Sequence, residues 1–451
     1  MMRFLFITLC VIAETAFAQP IDTTARIDQM FSSWNNSTPG GSILVARGEH
    51  ILYQKAFGLA NLEGNIPNTV NTIFEAGSVS KQFTAFSILL LENEGKLKLT
   101  DDIRKYVPEI PVYEAPVTIQ QLLNHTSGLK DWGSVGSLTG FPRGSRDYTI
   151  PLALHIMSKQ KSTNFKPGNE YSYSNSNYTM LTIIVERVSK QTLEQFTADR
   201  LFKPLGMNNT RWRSNFRNIV SNRAQAYSRN DKDYELNMPF EHIYGHGGLL
   251  TTTSDLLKWN QLLEKHDAIY TKRIEHGRLN DGKEIDYAAG ISHGKVNGVA
   301  EIGHSGATAG YRAWLAYYPS KKLTVALLSN DANFSSYDVG KEIAEIYFGT
   351  PPKPAIVEPE PENKPKVSFD PKIYVGEYYS DEAECSFKVI EKDNGLALVN
   401  DAIETTPLEA TKPNVFEGIG TIEFKIDSKK KVTGFNISIS RASNVPFKKI
   451  K

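Results

Sequence analysis

The chain of 451 residues is 40% hydrophobic and 22% charged, with a mean hydropathy of −0.35, which excludes a disordered chain, a fibrous repeat and a multi-span membrane protein. Its 51 basic and 50 acidic residues leave a net charge of +1 and no electrostatic footprint for nucleic acid or anionic lipid. Two cysteines cannot build a disulfide framework, and the length calls for two or three domains.

Residues 1–18 read as a secretory signal peptide. A short basic start at Met1-Met2-Arg3 precedes an apolar run over 4–13 that is too short to span a bilayer, and Ala16-Phe17-Ala18 offers a small-residue cleavage site before Gln19. The expectation is an exported protein, periplasmic or secreted, that loses Cys10 on cleavage and keeps Cys385 alone. No other segment is apolar over a membrane-spanning length.

The body is assigned to 19–350. Strands over 43–46 and 51–57 flank Arg47-Gly48-Glu49-His50 and predict a hairpin. Apolar periodicity predicts helices over 80–94, 118–124, 176–190 and 254–264, with Gly95 stopping the first and Ser254 capping the last. A second hairpin is predicted from strands over 313–318 and 323–328 around Pro319-Ser320-Lys321-Lys322. Strands at both ends with helices between them imply an α+β body: one antiparallel sheet flanked by helices, carrying a helical insert, with a cleft between sheet and insert. Residues 351–366 (PPKPAIVEPEPENKPK) form a proline-rich, charged linker. The remainder, 367–451, is expected to be a small all-β, barrel-like domain. Examples of its short strands are 373–379, 386–390, 396–399, 421–426 and 432–439, with turns at 393–395 and 427–429.

Three constellations carry chemistry. In Ser78-Val79-Ser80-Lys81, positions i and i+3 share a helix face, so the hydroxyl and the amine lie side by side at a helix start, in a positive field with free N–H groups nearby. A neighbouring ammonium, or an amine made neutral by desolvation, can orient the hydroxyl and help remove its proton. A serine N-cap before a surface lysine gives the same four letters. Tyr173-Ser174-Asn175 follows a Pro-Gly turn; a phenol near two cations can have a depressed pKa and serve as general base, whereas the same loop would also cap the 176–190 helix. In His304-Ser305-Gly306, just before the second hairpin, Gly306 allows close approach and His304 can supply a donor near the tyrosine, although a lone strand histidine is commonly structural. His242 and His246 stand four apart, but Gly245, Gly247 and Gly248 oppose the helix that would align them on zinc, so no metal site is assigned.

In this order and these contexts, S-x-x-K, Y-x-N and H-x-G resemble the serine β-lactamase and penicillin-binding protein superfamily, in the branch of class C β-lactamases, D,D-peptidases, esterases and D-aminopeptidases. The segments 121–129 (QLLNHTSGL), Gly247-Gly248-Leu249 and Thr253-Ser254-Asp255-Leu256 add to the resemblance, which covers about 20–350. It implies Ser78 as the acylated nucleophile, Lys81 as its proton-handling partner and Tyr173 as general base in acylation and activator of water in deacylation. Asn175 would orient the substrate amide. His304, with Ser305 and Gly306, would border the substrate where many relatives carry lysine, and the N–H groups of Ser78 and Ala307 would form the oxyanion hole. Segment 121–129 is taken as a packing element. A histidine with an ordinary pKa of about 6.5 is mostly neutral at pH 7, which weakens β-lactam hydrolysis relative to D-amino-acid peptides or esters.

The resemblance thus implies an exported serine hydrolase without cofactors, acting on a small molecule or peptide, with cell-wall-derived material among the candidates. The alternatives are a class C-like β-lactamase and a protein that acylates and then stalls as a sensor. The all-β domain is left with three roles: capping the cleft, binding wall material or dimerising.

Overall fold

Both ends of the body build its sheet, because the N-terminal hairpin is too short to bury its own apolar faces and finds the C-terminal strands as partners. The computed structural model describes residues 23–451 apart from 266–267, 350–366, 394 and 401; the expected signal segment and the proline-rich linker lie outside the described residues. The predicted first hairpin is β1 (Gly41–Arg47) and β2 (His50–Phe57). The later strands are β3 (Ser292–Val296), β4 (Val299–Thr308), β5 (Tyr311–Tyr318) and β6 (Leu323–Ser329), where β5 and β6 form the predicted second hairpin. The order across the sheet is β3-β4-β5-β6-β1-β2, antiparallel throughout, with β1 pairing β6 from Gly41↔Ser329 to Arg47↔Leu323.

The strand period of two sorts side chains onto two faces. Ile43, Val45, Val325 and Leu327 meet α1 (Thr23–Met30) and a C-terminal helix (Ser336–Phe348), whereas Leu44, Ala46, Ala326 and Leu328 join the helical insert. At the centre of the insert lies α2 (Lys81–Asn93), entered through a 3₁₀ turn at Gly77–Ser80 and ended by Gly95 in the left-handed conformation (φ 69°). It is buried nearly all round, as a helix enclosed by other elements must be; Phe83 stacks on Trp259 with ring centroids 4.2 Å apart. Burying each such side chain stabilises the fold by roughly 1.5–3 kcal/mol. Around α2 pack α3 (Ile119–Leu123), α4 (Trp132–Ser137), α5 (Asn175–Ser189) and α6 (Thr253–Asn260). Ser254 does not cap α6. Thr252, two residues earlier and in extended conformation, accepts from Asp255 N, and Ser254 Oγ takes the Gln54 amide at 2.8 Å.

The tail closes into a barrel of eight strands: β7 (Gly376–Ser380), β8 (Cys385–Lys392), β9 (Gly395–Asn400), β10 (Ile403–Lys412), β11 (Val415–Glu417), β12 (Thr421–Ile426), β13 (Val432–Ile439) and β14 (Ala442–Lys449). Its interior is filled by Tyr378, Phe387, Phe416, Phe424, Phe435 and Phe447 among others, so it is a packed core rather than a lumen. Val135 and Leu138, from α4 and the residue after it, join this same core, and Lys130 pairs with Glu382 at 3.5 Å, so the barrel is docked on the body.

Candidate active site

The site is built where the 3₁₀ turn before α2 meets the open edge of β4. β3 ends at Ser292 opposite Gly303, which leaves 304–308 unpaired on that side. Two glycines let the backbones touch. A Cβ on Gly77, which has φ +50°, would lie 2.6 Å from Ala307 N, and one on Gly306 would lie 2.0 Å from Ala76 O. Ser80 fixes the turn by donating to Gly77 O at 2.5 Å and accepting from Leu249 N at 3.0 Å. A cleft of about 500 Å3 opens there, lined by Ser78, Tyr173, Asn175, His304, Ser305 and Ala307.

The structure brings Ser78, Lys81, Tyr173 and Asn175 into one network. Ser78 Oγ lies 3.1 Å from Lys81 Nζ and accepts from the Tyr173 hydroxyl at 2.9 Å. Lys81 is completely buried, and its amine also reaches Asn175 Oδ1 at 3.0 Å and the His246 carbonyl at 2.6 Å. Burial, reinforced by the charges of Arg441 and Arg143, holds the amine's pKa well below its ordinary value. A neutral amine has two hydrogens and one lone pair. In that form Asn175 Oδ1 and the His246 carbonyl accept the two hydrogens, and the lone pair is available to take the Ser78 proton.

Tyr173 differs from its sequence-based expectation. Burial raises the phenol's pKa, and this outweighs the Ser78 hydrogen bond and the Arg441 charge that pull it down. The ring is held by His125, which belongs to the segment read as packing only. The two rings lie 4.3 Å apart; His125 sits at φ +57°, and its Nδ1 accepts from Ser174 N at 3.3 Å and Asn177 Nδ2 at 2.9 Å. Asp131 ties the site to α4: Oδ1 accepts from Gly133 N and Ser134 N, while Oδ2 accepts from Asn175 N at 2.6 Å. Asp131 is the N-cap of α4, and no role was assigned to it from the sequence.

His304 lies on the cleft wall, but its ring is committed elsewhere. Nδ1 is 2.6 Å from the Ser305 carbonyl, which can only accept, so Nδ1 bears the proton and Nε2 accepts from Tyr287 Oη at 3.0 Å. It therefore makes no hydrogen bond to Tyr173, whose ring centroid is 6.1 Å away. Burial, with Lys81 nearby, pushes the imidazole pKa down to about 4. A direct expectation follows: from pH 6 to 9 the shape of the kcat/KM profile of His304→Gln should overlay that of the wild type. A limb in this range that vanished in the variant would overturn the neutral assignment. His242 and His246 do not converge, since His242 pairs with Asp147 and His246 packs against Trp132.

The sequence reading did not foresee that Tyr171, Tyr287, Arg143 and Arg441 also line the cleft. Arg441 comes from the barrel, so no local pattern near the motifs could have placed it here.

Comparison with known proteins agrees with this geometry. The family model Beta-lactamase matches residues 21–346. Penicillin-binding protein 4* of Bacillus subtilis is 32% identical over 365 residues, covering 75% of this chain and 79% of that protein. Protein flp of Staphylococcus aureus is 27% identical over 69% of this chain, which spans only 62% of flp. Among solved structures, the octameric penicillin-binding protein homologue from Pyrococcus abyssi superposes with a TM-score of 0.64 at 24% identity, over 94% of this chain and 98% of that one, so the likeness in fold extends across the barrel.

Proposed function

The chain belongs to the β-lactamase family, within the serine β-lactamase and penicillin-binding protein superfamily of serine hydrolases, and from that premise we propose that it cleaves the amide or ester bond of D-amino-acid peptides or carboxylic esters through an acyl-enzyme on Ser78. The observation that carries this reading is the amine of Lys81, fully buried, held by Asn175 Oδ1 and the His246 carbonyl and 3.1 Å from Ser78 Oγ.

Ser78 Oγ attacks the substrate carbonyl and its proton passes to Lys81 Nζ. The developing oxyanion is received by the N–H groups of Ser78 and Ala307, a reading supported by the close approach of Gly77 to Ala307 N. One such donor typically contributes about 3 kcal/mol to the barrier reduction. Asn175 orients the substrate amide. Tyr173, protonated in the resting site, gives its hydroxyl proton to the leaving group and is reloaded from Lys81. In deacylation the direction reverses: water attacks the acyl carbonyl as it loses a proton to the same pair, the bond from Ser78 Oγ to the acyl carbon breaks, and the pair returns a proton to Ser78 Oγ. The route needs no cofactor or metal. Export follows from the signal pattern of residues 1–18.

A second reading, penicillin capture with slow release, is favoured by the name of the Bacillus relative and by the neutral His304 where many relatives carry lysine. Intact-mass spectrometry with benzylpenicillin and with p-nitrophenyl acetate decides between them. Rapid release of product supports the hydrolase, and a persistent penicillin adduct the slow binder. In either case Ser78→Ala should carry no adduct and show no turnover above background; equal labelling of the mutant would remove Ser78 as nucleophile.

A further inference from the structure

The turn between β13 and β14 consists of Ser440 and Arg441, with Ser440 at φ +49°. It is the part of the barrel that enters the cleft, and its backbone is fixed on the body from several sides. The Arg441 carbonyl accepts from Asp131 N and Asn164 Nδ2, both at 3.1 Å; Arg441 N donates to Ser134 Oγ at 3.3 Å; and Ser443 N donates to Asn164 Oδ1 at 2.8 Å. Asp131 is the residue that also holds Asn175, so the turn and the catalytic network share one anchor.

The side chain is placed differently from its backbone. The guanidinium lies over the Tyr173 ring, 4.7 Å from its centroid, on the wall of the cleft that holds Ser78 and Asn175. Among the described residues it meets no carboxylate and no hydrogen-bond acceptor. The other cations of the cleft are already committed. Arg143 is bound by both oxygens of Glu241 at 2.8 and 2.7 Å, Lys81 lies beneath Ser78, and His304 is neutral. A guanidinium presents a planar fork of donors that matches a carboxylate and keeps its charge at every relevant pH. Its place above Tyr173, the proposed donor to the leaving group, puts it on the leaving-group side of the scissile bond.

We propose that Arg441 is the receptor for a free carboxylate on the leaving-group end of the substrate, so that the barrel supplies the anion subsite of the body's active site. This rests on the acyl-enzyme reading above and narrows its substrate to peptides or depsipeptides ending in a carboxylate. It also gives the barrel a role that neither capping nor dimerisation describes, since a permanent cation reaches the cleft from outside the body.

The test uses the full chain and a matched pair of probes, N-acetyl-D-alanyl-D-alanine and its C-terminal amide. In Arg441→Met the preference for acid over amide in kcat/KM should fall about 10- to 100-fold, the size expected for a charge-assisted pair, with the loss seen mainly in KM; Arg441→Lys should recover part of it. Using the ratio cancels any general effect on Tyr173. The same pair is titrated calorimetrically into Ser78→Ala, where the acid should bind more tightly than the amide, and into Ser78→Ala/Arg441→Met, where the difference should disappear. An unchanged ratio, an equal loss for both probes, or no binding of the acid by Ser78→Ala would overturn the proposal. Absence of any turnover by the wild type would count against the acyl-enzyme reading alone, because the calorimetric difference does not depend on chemistry.

Discussion

Lys81→Arg should be as inactive as Lys81→Met, with kcat/KM lowered about 10²- to 10⁴-fold in both, the range that loss of a positioned general base produces. The larger figure corresponds to about 5.5 kcal/mol of barrier. A purely electrostatic role predicts the opposite ranking, because arginine keeps the positive charge. The structure argues for the base: a fully buried amine held by Asn175 Oδ1 and the His246 carbonyl has its remaining valence directed at Ser78. Arginine cannot give up its proton in a protein. The pH dependence carries the same sign. The working form is the neutral amine, so the rate should fall as pH drops through the depressed pKa of Lys81 and reach its plateau above it. Retention of a tenth of wild-type activity by Lys81→Arg, with both variants folded by thermal melting, would overturn the assignment. Tyr173→Phe should lose less, about 10²-fold, because water or Lys81 can still serve the leaving group.

The local half of this site was legible in the sequence and the tertiary half was not. The i, i+3 pair Ser78 and Lys81 is specified by a helix start, and Tyr173 and Asn175 by the loop entering α5; both spacings are properties of a few consecutive residues. The sign of the Tyr173 shift is set by how much protein surrounds the phenol, which no spacing encodes, and it ran against the expected depression. Arg441 depends on how the barrel docks, and His125 on a left-handed residue buried under Tyr173. In the fold, the two hairpins and the long helices follow from periodicity and turn residues. In the tail, β10 and β14 carry Pro407 and Pro446, residues that lack the N–H a ladder uses and so weaken the strand signal there. Each proline sits where one edge of its strand is unpaired. β11 pairs β10 only from Glu409 onward, and β7 pairs β14 only at Lys448 and Lys449, so no ladder bond needs the missing N–H on that side. The tail's first strand likewise begins at Gly376 rather than 373, because Pro371–Ile373 forms a 3₁₀ turn.

Between about pH 6 and 5 the folded chain should lose stability on acidification, by about 1.4 kcal/mol per pH unit for each histidine that stays neutral when folded and by at most about 4 kcal/mol per unit from three of them. His125, His246 and His304 are 0%, 2% and 5% exposed, and burial comes first among the causes that hold each imidazole's pKa below its ordinary value. Geometry agrees for two of them: Nε2 of His125 and of His246 is buried and has no hydrogen-bond partner among the described residues, so no acceptor waits to stabilise the imidazolium. The sign follows from linkage. The unfolded chain protonates these rings as pH falls through about 6.5, while the folded chain leaves them neutral, so unfolding takes up protons and acid favours it. The loss begins near pH 6.5 and continues down to the folded pKa values, which for His304 is about 4. Each proton contributes about 1.4 kcal/mol per pH unit, and against a typical total of 5–15 kcal/mol two units suffice to unfold many domains of ordinary stability. Urea melts at pH 7, 6 and 5 measure the slope, and His246→Gln should reduce it by about a third whatever it does to stability at pH 7. An identical slope in that variant, or stability that stayed flat from pH 6.5 to 5, would refute the linkage. Because the His125 ring supports Tyr173, the His246 backbone carbonyl binds Lys81 and His304 lines the cleft, acid inactivation should coincide with unfolding at these histidines and reverse on neutralisation.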